Sequence, residues 1–110
     1  MRRERDRPSY SLGEAKQLVC SREFSIVGRP RRFIQGRYDT ADISSFIAGI
    51  FRSMHPRDFL KSEELDMKPG TFADIYRGMR FEGEAWYVKF FIDDGGHVVI
   101  LSANWDGYIH

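Results

Sequence analysis

Between Ala85 and Ile92 the chain alternates, so that Trp86, Val88, Phe90 and Ile92 fall on one face of an extended segment and Tyr87, Lys89 and Phe91 on the other. The first face is wholly apolar and is expected to pack on helices. A phenol and an ammonium are left together on the second, which makes it the candidate working surface: the phenol can carry a proton and the ammonium can meet an anion. In Phe72-Ala73-Asp74-Ile75-Tyr76-Arg77, Arg77 shares the parity of Ala73 and Ile75, so its guanidinium can meet an anion on their face of the strand. A second basic group lies upstream. Arg29, Arg31 and Arg32, with Phe33 and Arg37 close by, can grip an RNA backbone while an aromatic ring stacks on a base. Each residue also has a plainer use: Lys89 as a solvated strand lysine, Tyr87 as a half-buried sheet aromatic, Arg77 as the partner of Asp74 or a nearby acid, and the arginine group as a solvated loop.

These side chains need a frame, and the sequence outlines one. Met1 to Ser9 alternates charges without apolar residues and is expected to be a flexible charged arm, with residues 10–110 as one domain. Ser11-Leu12-Gly13-Glu14 has the form of a capping box and predicts a helix from about Leu12 to Cys20, with Leu12, Ala15, Leu18 and Val19 inward and Cys20 buried at its end. Gly28, Pro30 and Gly36 break any period over the next segment, so a short extended piece near Phe24 to Val27 and then a basic loop are expected. Thr40 or Asp42 can cap a second helix to about Ser53, because Ile43, Phe46, Ile47, Ile50 and Phe51 form an i, i+3, i+4, i+7, i+8 stripe. His55-Pro56 stops it. The remainder reads as an antiparallel meander, with strands near Asp58 to Ser62, Thr71 to Arg77, Ala85 to Ile92 and His97 to Ala103. Lys68-Pro69-Gly70, Phe81-Glu82-Gly83 and Asp93-Asp94-Gly95-Gly96 are the expected connections, and Trp105-Asp106-Gly107-Tyr108 is an aromatic extension that caps the sheet or the open end of a cleft.

Composition narrows the classes. At 110 residues, 42% hydrophobic and 15% aromatic, the chain can bury one core without disulfides or metals. Cys20 is its only cysteine, and His55, His97 and His110 are scattered, so no metal site or cofactor is expected. His97, beside a hairpin, is either a proton carrier or an exposed loop residue. The net charge of +1 conceals an uneven distribution: residues 1–37 hold ten Lys/Arg against four Asp/Glu, and residues 38–110 hold seven against twelve. Thirteen of the seventeen cations are Arg, whose planar fork suits phosphate. No apolar run approaches a membrane span and the charged N-terminus lacks a signal peptide's apolar stretch, so no membrane partner and a cytoplasmic location are expected.

The order Asp58-Phe59-Leu60-Lys61-Ser62, Ala73-Asp74-Ile75-Tyr76-Arg77, Tyr87-Val88-Lys89, Ile100-Leu101-Ser102-Ala103-Asn104 resembles the MqsR family of toxins. The resemblance begins at the helix Leu12 to Cys20 and is dense from Asp58 onward. It implies a RelE-like α+β fold, with two to three helices on one face of a twisted, mostly antiparallel sheet. It also implies a metal-independent endoribonuclease that cuts single-stranded mRNA at short motifs, arrests growth and is neutralised by a cognate antitoxin. Such cutting needs the ribose 2′-OH to attack the adjacent phosphate, a base to take its proton, an acid for the leaving 5′ oxygen, and cations for the developing charge. Carried over by position, Lys61 and Tyr87 match catalytic residues of the family, with Arg77 as an added cation. Ala73 stands where the family has Gln and Asn104 where it has its last Lys. Neither can replace what it displaces: Ala has no hydrogen-bonding group and Asn no charge. An inactive domain of the same fold that binds protein or RNA is the second reading.

Overall fold

The computed structural model describes residues 2–108; Met1 of the expected arm and His110 of the three histidines lie outside the described residues. Elements follow the order β1 Glu4–Arg5, α1 Leu12–Cys20, β2 Phe24–Ile26, α2 Gly28–Arg37, α3 Ile43–Arg52, a 3-10 turn Pro56–Asp58, β3 Phe59–Leu65, β4 Lys68–Phe81, β5 Glu84–Ile92 and β6 Val98–Trp105. The strands form one sheet in the order β1-β3-β4-β5-β6-β2, antiparallel except where β2 joins β6. This is the expected α+β architecture, with the helices gathered over one face.

The two helices read from the sequence start where their caps place them. Ser11 Oγ accepts the Glu14 N–H at 3.1 Å, and Asp42, rather than Thr40, caps α3 by accepting the Ser45 N–H at 3.1 Å. Helix α3 buries Ile47, Ile50 and Phe51, with Ile43 and Phe46 partly covered. Its stripe meets the apolar face of the meander, where Tyr76, Met79, Trp86, Val88, Phe90, Ile100 and Ala103 are buried. Gly49 is the point of closest approach, since a Cβ there would lie 2.5 Å from the Phe81 ring, which stands edge-on to Phe46 at 5.1 Å. Gly49→Ala is expected to cost about 1–3 kcal/mol through overpacking, read as a lower midpoint of urea unfolding.

Several local expectations need correction. The basic loop is helix α2: Pro30 sits in its first turn, where a missing N–H does no harm, and burial of Phe33 and Ile34 offsets the ordering cost. Lys68-Pro69-Gly70 belongs to β4, and the turn falls earlier, at Asp66-Met67. Between β4 and β5 the connection is two residues, Glu82 and Gly83, both with positive φ (53° and 76°), the left-handed pair that matches strand twist. Cys20 is exposed, because the covered face of α1 is the one carrying Ala15 and Val19, and the next residue is turned away from it. The stretch expected as an arm contributes β1, with Glu4 and Arg5 paired to Glu63 and Ser62. Beyond it the Ser9 and Tyr10 N–H groups donate to the Asp74 carboxylate at 2.9 and 3.0 Å.

Candidate active site

Register lays the polar groups of the helix-free face in two rows. Lys61, Ile75, Lys89 and Ser102 are successive partners across β3, β4, β5 and β6; in the next row Arg77, Tyr87 and Asn104 are partners across β4, β5 and β6. Lys61, Arg77, Tyr87 and Lys89 are thereby brought together on one surface, opposite the buried Trp86, Val88 and Phe90.

Three bulges make this arrangement. Phe59 packs against the core, and strict alternation would send Lys61 there too; an extra residue, Leu60, shifts the register so that Lys61 emerges on the open face. At Gly78, with φ +91°, the same shift leaves Arg77 outside while returning Met79 to the core opposite Trp86. Leu101 does it in β6, separating the buried Val98 and Ile100 from Ser102 and Asn104 on the open side.

Glu63 organises the first row. Its buried carboxylate lies 2.7 Å from Lys89 Nζ, 3.5 Å from Lys61 Nζ and 3.3 Å from Arg2 Nη1. Burial alone would push its pKa up, but hydrogen bonding and charge from Lys89, with Lys61 and Arg2 behind, hold it below the usual range, so Glu63 is ionised at neutral pH. Ala73 is its cross-strand partner and is fully buried, as is Ile75 between the two lysines. Ala73 is therefore covered floor here, and the Glu63 carboxylate lies in its row.

The cations of this face are already answered by acids. Lys61 Nζ also meets Glu4 Oε2 at 2.7 Å, and that hydrogen bond from β1 is the main cause of its raised pKa. Arg77 forks onto Asp106, with Nη2 at 3.1 Å from Oδ1 and Nε at 3.3 Å from Oδ2, which leaves its Nη1 side for another anion. Its acid partner is thus Asp106 and not Asp74, which is buried beneath Ser9 and Tyr10. Tyr87 is half-buried; burial first and the Glu63 charge second raise its pKa, against Lys61 and Arg77, which lower it. At neutral pH the surface therefore holds two loaded proton donors, Tyr87 and Lys61, with the buried Glu63 carboxylate beside them. Glu63 escaped the sequence reading, although Lys61 and Glu63 two apart in one strand were the available signal.

The upstream arginines fall elsewhere. Arg29, Arg32 and Arg37 line a groove of about 510 Å³ with Phe33, Tyr108, Ser102 and Asn104, whereas Arg31 is exposed and is not part of its lining. Arg37 rests on Phe33 at 4.2 Å and on Tyr108 at 5.0 Å, and its Nη2 donates to the Tyr108 hydroxyl at 2.9 Å. The aromatic extension after β6 thus closes over α2. Among the described residues no cluster of His, Cys, Asp or Glu could hold a metal ion, and no helix is long and apolar enough to cross a membrane. His97 is engaged with Ser25, 2.7 Å from its Oγ, far along the sheet from Tyr87.

With this geometry in place, comparison with known families gives one match: the model described as "Motility quorum-sensing regulator, toxin of MqsA" covers residues 7–103 of the 110. No curated protein matches the chain.

Proposed function

Since the chain belongs to the MqsR toxin family, whose members are toxins of an antitoxin, we propose that it is a metal-independent endoribonuclease acting on single-stranded mRNA at short motifs. The observation that carries this reading is the row Arg77-Tyr87 set directly beside Lys61 and Lys89 on the helix-free face. Tyr87 and Lys61 are protonated at neutral pH and serve as acids. Tyr87 gives its proton to the leaving 5′ oxygen, while Lys61 and the Nη1 side of Arg77 hold the charge that develops on phosphate. The 2′-OH gives its proton to solvent hydroxide as its oxygen bonds to phosphorus, the 5′ P–O bond breaks with the Tyr87 proton passing to the leaving oxygen, and the products are a 2′,3′-cyclic phosphate and a 5′-hydroxyl. Lys89, fixed by Glu63, and the arginines near α2 draw in the RNA backbone. A cognate antitoxin is the protein partner, and the cytoplasm is the place of action.

The test is purified protein with mixed RNA in EDTA, sequencing the new 5′-hydroxyl ends. Cuts concentrated at one short motif support the proposal; intact RNA beside a well-folded protein supports the inactive binding domain, for which Ala73 and Asn104 are the motivating departures. The pH profile adds a second check. Because Tyr87 and Lys61 both titrate above their ordinary values, neither is a base at neutral pH, and kcat/KM is expected to rise about tenfold per pH unit between pH 6 and 9. A rate that is flat above pH 5 would instead give proton abstraction to Glu63, whose lowered pKa keeps it ionised throughout that range.

A further inference from the structure

We propose that the groove between α2 and the edge of β6 is a nucleotide subsite adjoining the cleavage site, which takes one phosphate and one unstacked base of single-stranded RNA. The inference rests on the ribonuclease reading above and assigns that enzyme's substrate a second place on the molecule.

Charge is the first argument. On the open face the cations Lys61, Lys89 and Arg77 are matched by Glu4, Glu63 and Asp106 at 2.7–3.5 Å. Among the described residues the groove is lined by three arginines and no carboxylate, and neither Arg29 nor Arg32 has an ion pair. The first turn of α2 holds no acid, and its cap residue Val27 makes no side-chain hydrogen bond, so the positive end of the helix adds to the same field. Uncompensated positive charge for a polyanion is thus concentrated beside the cleft rather than in it.

Shape is the second. A volume of about 510 Å³ is within the usual span of small-ligand sites. Tyr108, 40% exposed, presents a ring beside the Arg37 guanidinium, a flat platform of the kind on which bases stack. Duplex RNA would not offer a free base to it.

Continuity is the third. Strand β2 leaves β6 at Ile100, where the chain turns into α2, and the next residues of β6 border the groove. Of these, Ser102 and Asn104 are the register partners of Lys89 and Tyr87, one strand spacing of about 5 Å away. A chain held in the groove passes into the cleft without a gap.

The probe is a fluorescein-labelled decamer of mixed sequence in 2′-O-methyl RNA, which lacks the attacking hydroxyl and so reports binding apart from cleavage. Arg29→Gln/Arg32→Gln is expected to weaken binding at least about tenfold and to make the slope of log Kd against log salt shallower by about 1.4. Arg52→Gln/Arg57→Gln removes the same charge from exposed positions outside the lining and is expected to change Kd by less than about twofold. Tyr108→Ala should cost about fivefold or more and erase the preference for the decamer over one carrying an abasic site. Equal losses in the two double variants, no loss in the groove variant, or a wild-type protein that does not bind the probe would each overturn the subsite. Groove-dependent binding by a protein that never cuts unmodified RNA would leave the subsite standing and sink the ribonuclease reading. A protein that cuts with its KM untouched by the groove substitutions would do the reverse.

Discussion

Tyr87→Phe protein is expected to fold as the wild type does and to cut RNA about 10²- to 10⁴-fold more slowly. The substitution deletes one hydroxyl and keeps the ring, so the apolar body of the side chain still covers β5 between its partners Arg77 and Asn104. What is lost is the proton that the half-buried phenol carries at neutral pH. With Tyr87 as the acid for the 5′ oxygen, kcat falls while KM changes little, because phosphate is still met by Lys61, Lys89 and Arg77. Lys61→Ala is the companion experiment. It removes an exposed ion pair to Glu4, worth at most about 1 kcal/mol, and a longer 3.5 Å contact to Glu63, which keeps Lys89 and Arg2, so lost activity in that protein would not be lost folding. Cleavage by Tyr87→Phe at the wild-type rate, cut at the same motif, would remove Tyr87 from the chemistry and return it to the role of a half-buried sheet aromatic.

Pairs of residues close together in one strand were the legible part of this site. Tyr87 and Lys89 lie on the open face because β5 alternates without interruption over those positions, and the parity of Arg77 with Ile75 holds because the bulge comes one residue later, at Gly78. The same rule fails across a bulge. Phe59 and Lys61 have equal parity in sequence and opposite faces in the fold, and so do Ile100 and Ser102, since a bulge's extra residue leaves no mark in a period-two pattern. Helix α3 was legible from a wide apolar stripe and a capping aspartate. Helix α2 was not, because its two glycines, one proline and four arginines argue against a helix locally; it forms because Phe33 reaches Trp86 at 6.1 Å and Trp105 at 5.2 Å. Such pairing between distant segments is absent from any local window. Glu4 and Lys61, 57 positions apart, are the sharpest case, since a charged N-terminal segment looks like a solvated one until its strand partner is known.

The working face depends on a single large side chain behind it, and Trp86→Ala tests that dependence. Trp86 is fully buried, donates its indole N–H to the Phe81 carbonyl at 2.8 Å, and lies within 5.8–6.1 Å of the rings of Phe33, Tyr38 and Phe46. It joins α2, α3 and the hairpin between β4 and β5 from one position. Truncation removes its apolar area, leaves a cavity and unpairs a carbonyl, an expected loss of about 3–5 kcal/mol. A domain of this size has roughly 5–15 kcal/mol in total, so Tm should fall by more than about 10 °C. Trp86→Phe separates the contributions: it keeps a ring among the aromatics but not the donor, and should cost about half as much. Because Trp86 and Tyr87 are consecutive and point to opposite sides of β5, catalysis should fall with stability in the alanine protein and recover on cooling. In Tyr87→Phe it should stay low at every temperature. A Trp86→Ala protein with unchanged Tm would show that the aromatic layer is not what holds the helices to the sheet, and with it would go the account of why the open face is rigid enough to align Lys61, Arg77 and Tyr87.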